Sequence, residues 1–171
     1  MREIPEGRMV ARIVETEAYL HDDPAAHSYR GETPRNRSLF LEGGHAYVYV
    51  AYGIHRMLNV AAGAHGVGTG VLVRAAEPLE GIELMQARRR TTVPTDLARG
   101  PGRLAEAMEI TMALDAMDLT RPGPLWLGSI DRPTGEIGIS VRIGITKAAD
   151  LPLRFYERGS RFVSGPRTLN G

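Results

Sequence analysis

The run Ala46-Tyr47-Val48-Tyr49-Val50-Ala51-Tyr52 constrains this chain more than any other segment. β-Branched and aromatic residues fill it, which is strand chemistry. Gly53 follows, and Met57-Leu58-Asn59-Val60-Ala61 is a second apolar run. Together they predict a β-hairpin with its tip at 53–56. Residues 9–20 and 70–75 also read as strands, 137–145 alternates as one, and 153–163 holds one or two more. Leu79, Ile82 and Met85 have helical spacing, with glutamates early and three arginines late, predicting a helix over 79–90. Gly100-Pro101-Gly102 opens a second helix over 104–112. Strands in groups with few helices favour a single α+β domain over a doubly wound parallel sheet.

Composition removes several function classes. The chain has 171 residues, a formal net charge of +1 and no cysteine. A disulfide framework, a thiolate zinc site and a cysteine nucleophile are thereby excluded. Hydrophobic content is 43%, ordinary for a globular domain. No apolar run approaches the ~20 residues of a membrane helix, and residues 1–7 lack a signal-peptide apolar core. A cytoplasmic, nucleoid-associated placement is the expectation. Charge is unevenly spread: residues 30–74 carry five arginines against two glutamates, and 142–171 are basic as well. Two basic segments folded onto one face would suit nucleic acid.

On a strand, Glu15, Glu17 and Tyr19 share one face. A carboxylate beside a ring on a half-buried face is a candidate base, whereas on a solvated strand the same pair is ordinary surface. Six of the ten aromatic residues lie between 19 and 52. Tyr47 and Tyr49 point the same way, either into the core or into a slot for a planar ligand. Tyr52 at the hairpin tip is a candidate wedge between base pairs if the tip does not fold back. The five histidines have no i, i+4 pair on a predicted helix, so no metal site is expected. Gly66 to Gly70 precedes a strand and reads as a turn rather than a phosphate loop. The free amides at Gly102 and the Arg103 side chain have the chemistry to hold one phosphate.

Read together, these segments resemble one family. Arg12-Ile13-Val14-Glu15-Thr16-Glu17-Ala18-Tyr19, Ala25-Ala26-His27-Ser28, Thr33-Pro34-Arg35-Asn36-Arg37, Tyr47-Val48-Tyr49 with Tyr52-Gly53, Asn59, Val73-Arg74-Ala75-Ala76-Glu77-Pro78, Gly100-Pro101-Gly102 and Pro152-Leu153-Arg154-Phe155-Tyr156 stand in one order. The pattern, from about Arg12 to Val163, is similar to that of the 3-methyladenine (alkyladenine, methylpurine) DNA glycosylases.

The resemblance implies a monofunctional N-glycosyl hydrolase that removes alkylated or deaminated purines from duplex DNA without metal or redox cofactor. It implies Glu17 as general base, Arg74 as its partner, and the Ile143 carbonyl as a ligand for the attacking water. It assigns Tyr19, His27, Tyr49 and Asn59 to the base pocket. Tyr52 is implied as the wedge, with Ile54, His55, Thr33, Gly102 and Arg103 as DNA contacts. The implied fold is a curved, mainly antiparallel, partly barrel-like sheet with packed helices and a protruding hairpin, acting as a monomer. Family members usually carry a helix and a strand ahead of the first motif, and here eleven residues precede Arg12, so residues 1–171 read as one glycosylase domain without those elements. A truncated relative that docks on nucleic acid without releasing a base is the alternative.

Overall fold

The structure is a computed structural model and describes residues 1–166, 168 and 170. Seven strands make the sheet: β1 (Arg2–Ile4), β2 (Gly7–Tyr19), β3 (Ala46–Ala51), β4 (His55–Ala61), β5 (Gly70–Glu80), β6 (Ile137–Ser140) and β7 (Arg154–Glu157). Their order is β3-β4-β5-β2-β7-β6, with β1 paired to β2 outside this path. Every strand pairing is antiparallel. The sheet is open, with β3 and β6 at its edges. Among the described residues three α-helices follow β5: α1 (Ile82–Arg89), α2 (Pro94–Leu97) and α3 (Pro101–Ala107). The fold is α+β, as the grouping of strands predicts.

The predicted hairpin is β3–β4, with Ala51 opposite His55 and a turn over Tyr52–Ile54. Tyr52 and Gly53 both take positive φ, of 51° and 74°, so a ring stands at a position that favours glycine. Beneath it, β3, β4 and β5 press Ala46, Val48, Leu58, Val73 and Ala76 against Met85, Leu97, Leu104 and Met108 of the helical segment. A smaller cluster of Val14, Ala75, Tyr156, Phe162 and Val163 forms around β2, β5 and β7.

Irregularities in the long β2–β5 pair position the site. Ile13 pairs with Ala76 and Glu15 with Ala75, so Val14 is an extra residue on β2. Glu15 pairs with Ala75 and Thr16 with Val73, so Arg74 is an extra residue on β5. Each bulge breaks the alternation within a segment covered on both faces, where Val14 and Glu15 of β2 and Val73, Arg74, Ala75 and Ala76 of β5 are all buried. Bulges re-aim side chains in this way. Here they turn Arg74 toward the two glutamates of β2.

Several elements end elsewhere than local periodicity predicts. β5 continues through Glu80, taking Leu79 from the expected helix, which starts at Ile82. The second helix is α3, Pro101–Ala107, beginning at the proline itself. β6 stops at Ser140 rather than running to 145. Just beyond, the buried Arg142 guanidinium bonds Asp23, the Ala18 carbonyl (3.0 Å) and the Ala148 carbonyl (3.2 Å), holding the chain in a loop off the ladder. β1 was not expected; it is anchored where Met1 and Trp126 exchange backbone bonds and Arg2 bonds the Pro124 carbonyl. Among the described residues no helix is long and apolar enough to cross a membrane.

Candidate active site

A cavity of 510 Å³ opens between the hairpin and the ends of β2, β4 and β5. That size suits a small-molecule ligand. Tyr19, His27, Tyr49, Asn59, Arg74 and Ile143 all line it, together with Arg35, Leu39, Met57 and Leu72. Tyr52 stands at its rim.

Glu17 lies behind this wall, with 0% of its surface exposed. Its carboxylate is held on three sides. Oε1 accepts the Ile143 N–H at 2.7 Å and faces Arg74 Nη1 at 3.2 Å. Oε2 accepts the Tyr19 hydroxyl at 3.0 Å. Arg74 Nη1 also points to the Ile143 carbonyl at 3.5 Å. Alternation along β2 thus puts Glu15, Glu17 and Tyr19 on one face, as sequence predicts, and that face is buried rather than solvated. Burial first, then the charge and hydrogen bond of Glu17, raises the Tyr19 phenol far above its ordinary 10.0. It stays protonated and donates to the carboxylate. The Arg142 guanidinium lies 4.6 Å from the Tyr19 ring centroid, a cation–π contact behind the cavity wall.

The rings on the other wall touch one another. Tyr47 stacks on Tyr49 with centroids 5.4 Å apart, and His27 stands edge-on to Tyr49 at 4.5 Å. Tyr47 is core and its hydroxyl meets His27 Nδ1 at 2.7 Å. Burial, then the charge of Arg35, lowers the His27 pKa below 6.5, so the ring is neutral at pH 7. Asn59 is buried beside them and donates to the Tyr47 carbonyl at 3.3 Å.

The residues expected to meet DNA fall into two groups. Tyr52 and Ile54 are 82% and 74% exposed at the hairpin tip, unpacked against the body. His55 starts the returning strand and stands against Gly102, where a Cβ would come within 3.2 Å of the imidazole. This contact places the start of α3 beside the hairpin stem. Thr33 and Arg103 are more occupied than sequence implied. The Thr33 amide and hydroxyl both bond Asn36 Oδ1, at 2.6 and 2.9 Å. Arg103 pairs with Asp96 at 3.3 Å. Among the described residues no group of three or more His, Asp or Glu side chains is placed to hold a metal ion.

Sequence reasoning set Glu15 on the face of Glu17 but missed the residues that hold it. Glu15 accepts Arg74 Nε at 2.9 Å, Arg154 Nε at 2.7 Å, and the Ser164 N–H and Oγ at 2.6 and 2.9 Å. Burial pushes its carboxyl up, but Arg154, Arg74 and the Ser164 amide outweigh burial and hold it below 4.5. Arg154 itself is wholly buried over the Tyr156 ring. A buried arginine cannot remain without acceptors, so Arg154 in the quoted Pro-Leu-Arg-Phe-Tyr motif was the available signal for this second layer.

Comparison with known proteins identifies the family. A family profile described as "Methylpurine-DNA glycosylase (MPG)" matches residues 1–161. A protein of Mesorhizobium japonicum described as "Putative 3-methyladenine DNA glycosylase" is 62% identical over 169 residues, 99% of this chain and 81% of that one. Proteins of the same description from Paraburkholderia phytofirmans and Methanoculleus marisnigri are 50% and 57% identical. They cover 99% and 93% of this chain, which spans 79% and 84% of their lengths. The chain therefore belongs to the methylpurine-DNA glycosylase family and is a hydrolytic DNA-repair glycosylase.

Proposed function

We propose that this protein, as a monomer, flips alkylated purines of the 3-methyladenine and 7-methylguanine type out of duplex DNA and hydrolyses their N-glycosidic bond with water activated by Glu17. The observation that carries the reading is the corner formed by Glu17 Oε1, Arg74 Nη1 and the Ile143 carbonyl at the back of an aromatic cavity. Arg74 and Ile143 line that cavity, so water reaches the buried carboxylate past them. Water oxygen attacks C1′ while the C1′–N bond breaks, and the bonding electron pair leaves with the base. The proton of the water passes to Glu17. The carboxylate also offsets the positive charge that develops on the sugar, as in other glycoside hydrolyses.

A target base is out of reach inside a duplex and is extruded at a cost of a few kcal/mol. The exposed Tyr52 ring occupies the gap left in the stack. The base enters against Tyr49 and Tyr19. Sandwiching it between Tyr49 and His27 takes two van der Waals layers, ~7 Å, so the His27 ring moves from its edge-on position as the base enters. A purine alkylated at N3 or N7 is cationic, which favours it over tyrosine faces by ~0.5–2 kcal/mol and makes it a ready leaving group. Neutral His27 adds no repulsion. Asn59 opposes the 2-amino group of guanine, a penalty that 7-methylguanine, which carries the same group, offsets through its weakened glycosidic bond.

The test compares base release from a methylated duplex with release from the free methylated nucleoside. The reading expects release from the duplex and little from the nucleoside. Equal rates on both would show a small-molecule hydrolase, and duplex binding without release would show a non-catalytic module.

A further inference from the structure

We infer that Glu15 is a positioning residue for the reaction: it fixes the Arg74 guanidinium so that Nη1 alone faces Glu17 and the Ile143 carbonyl. The inference rests on the Glu17 reading above and deepens it.

Glu15 does not line the cavity and is buried. Its partners show what it holds. Arg74 Nε donates to Glu15 Oε1 at 2.9 Å, and Arg74 Nη2 to Ser164 Oγ at 3.3 Å. Ser164 in turn donates its N–H and hydroxyl to Glu15. Glu15 and Ser164 thus occupy the Nε–Nη2 edge of the guanidinium. That is the edge which pairs side-on with a carboxylate. Left free, it would turn onto Glu17 as a two-pronged pair, tie up both carboxylate oxygens and displace the Tyr19 hydroxyl. With the edge occupied, Arg74 offers Glu17 one nitrogen.

The charge pattern fits the same role. Two buried carboxylates face two buried guanidiniums, Arg74 and Arg154. Arg154 holds Glu15 at 2.7 Å and is itself braced by Ser140 Oγ at 2.7 Å and the Ser164 carbonyl at 3.0 Å. Glu15 therefore keeps its charge, and Arg74 is shared between two anions rather than committed to one. The Arg74 bulge brings the guanidinium to both.

The test is single-turnover release from methylated duplex at saturating enzyme, beside affinity for a duplex carrying a stable abasic site, in wild type, Glu17→Gln, Glu15→Gln and Ser164→Ala. Glu15→Gln cannot accept from all four donors. Its expected release is roughly ten- to hundredfold slower with abasic-site affinity within about twofold of wild type, the signature of a misplaced group rather than a lost contact. Ser164→Ala, a smaller change, is expected to slow release about threefold with the same split. Should Glu15→Gln not fold, Ser164→Ala decides. Wild-type release rates in these variants, or losses confined to affinity or melting temperature, overturn the role of Glu15 alone. A wild type that releases no base, or a Glu17→Gln variant as fast as wild type, overturns the Glu17 reading and this inference with it.

Discussion

The hydroxyl of Tyr19 donates to Oε2 of Glu17 over 3.0 Å, so one residue both lines the cavity and holds the buried carboxylate. Tyr19→Phe keeps the ring and leaves one carboxylate oxygen without its donor. A hydrogen bond to a charged group contributes ~1.5–3 kcal/mol. The expected result is base release slowed about tenfold or more, with lesion binding largely kept, read by single-turnover kinetics beside a gel-shift titration.

Tyr52 has the opposite character, since it is 82% exposed and supports nothing around it. Tyr52→Ala should leave the melting temperature unchanged, as exposed substitutions usually cost within ~0.5 kcal/mol. Excision from a duplex should fall by about tenfold or more, because the extruded state loses the ring that fills its gap. Excision of the same lesion in single-stranded DNA should fall far less. Equal losses on both strand forms would remove the wedge role.

Stability should fall in two steps on the acid side. The folded His27 pKa lies below 6.5, so the unfolded chain binds a proton that the native chain refuses. Stability is complete above pH 6.5 and declines as pH drops through the folded value. Glu15 likewise lies below 4.5, and its contribution is lost as pH falls from 4.5 toward its folded value. Melting temperature against pH should show both declines. His27→Gln should flatten the first and leave the second.

Gly138 on β6 faces Tyr156 on β7, and a Cβ there would stand 2.3 Å from the ring carbon Cζ. Tyr156 is buried and has little room to retreat. Gly138→Ala should destabilise by about 1–3 kcal/mol through overpacking, measured by denaturant unfolding. An unchanged midpoint would mean that the β6 edge shifts freely.

Much of this architecture was legible in local sequence. The hairpin, the shared face of Glu15, Glu17 and Tyr19, and the exposed tip follow from period-two alternation and turn chemistry within a few residues. What was illegible depends on partners far along the chain. The bulges at Val14 and Arg74 exist only in the pairing of β2 with β5, so the family resemblance, and not the local pattern of either strand, was what put Arg74 with Glu17. Glu15 reads locally as a surface residue and is core because Arg154 and Ser164, 139 and 149 positions away, fold onto it. β6 ends early because Arg142 is claimed by Asp23, 119 residues before it. The closeness of the His27 and Tyr49 rings, 4.5 Å, is likewise a property of packing and not of either segment.

The central claim is that Glu17 activates the water. Its most direct test is single-turnover release of methylated purine from duplex DNA by wild type and Glu17→Gln at saturating enzyme. Gln keeps the volume and an acceptor for Arg74 but cannot take a proton. The account predicts release by wild type and a loss of at least about a hundredfold in Glu17→Gln, with duplex binding retained. Full release by Glu17→Gln would contradict it.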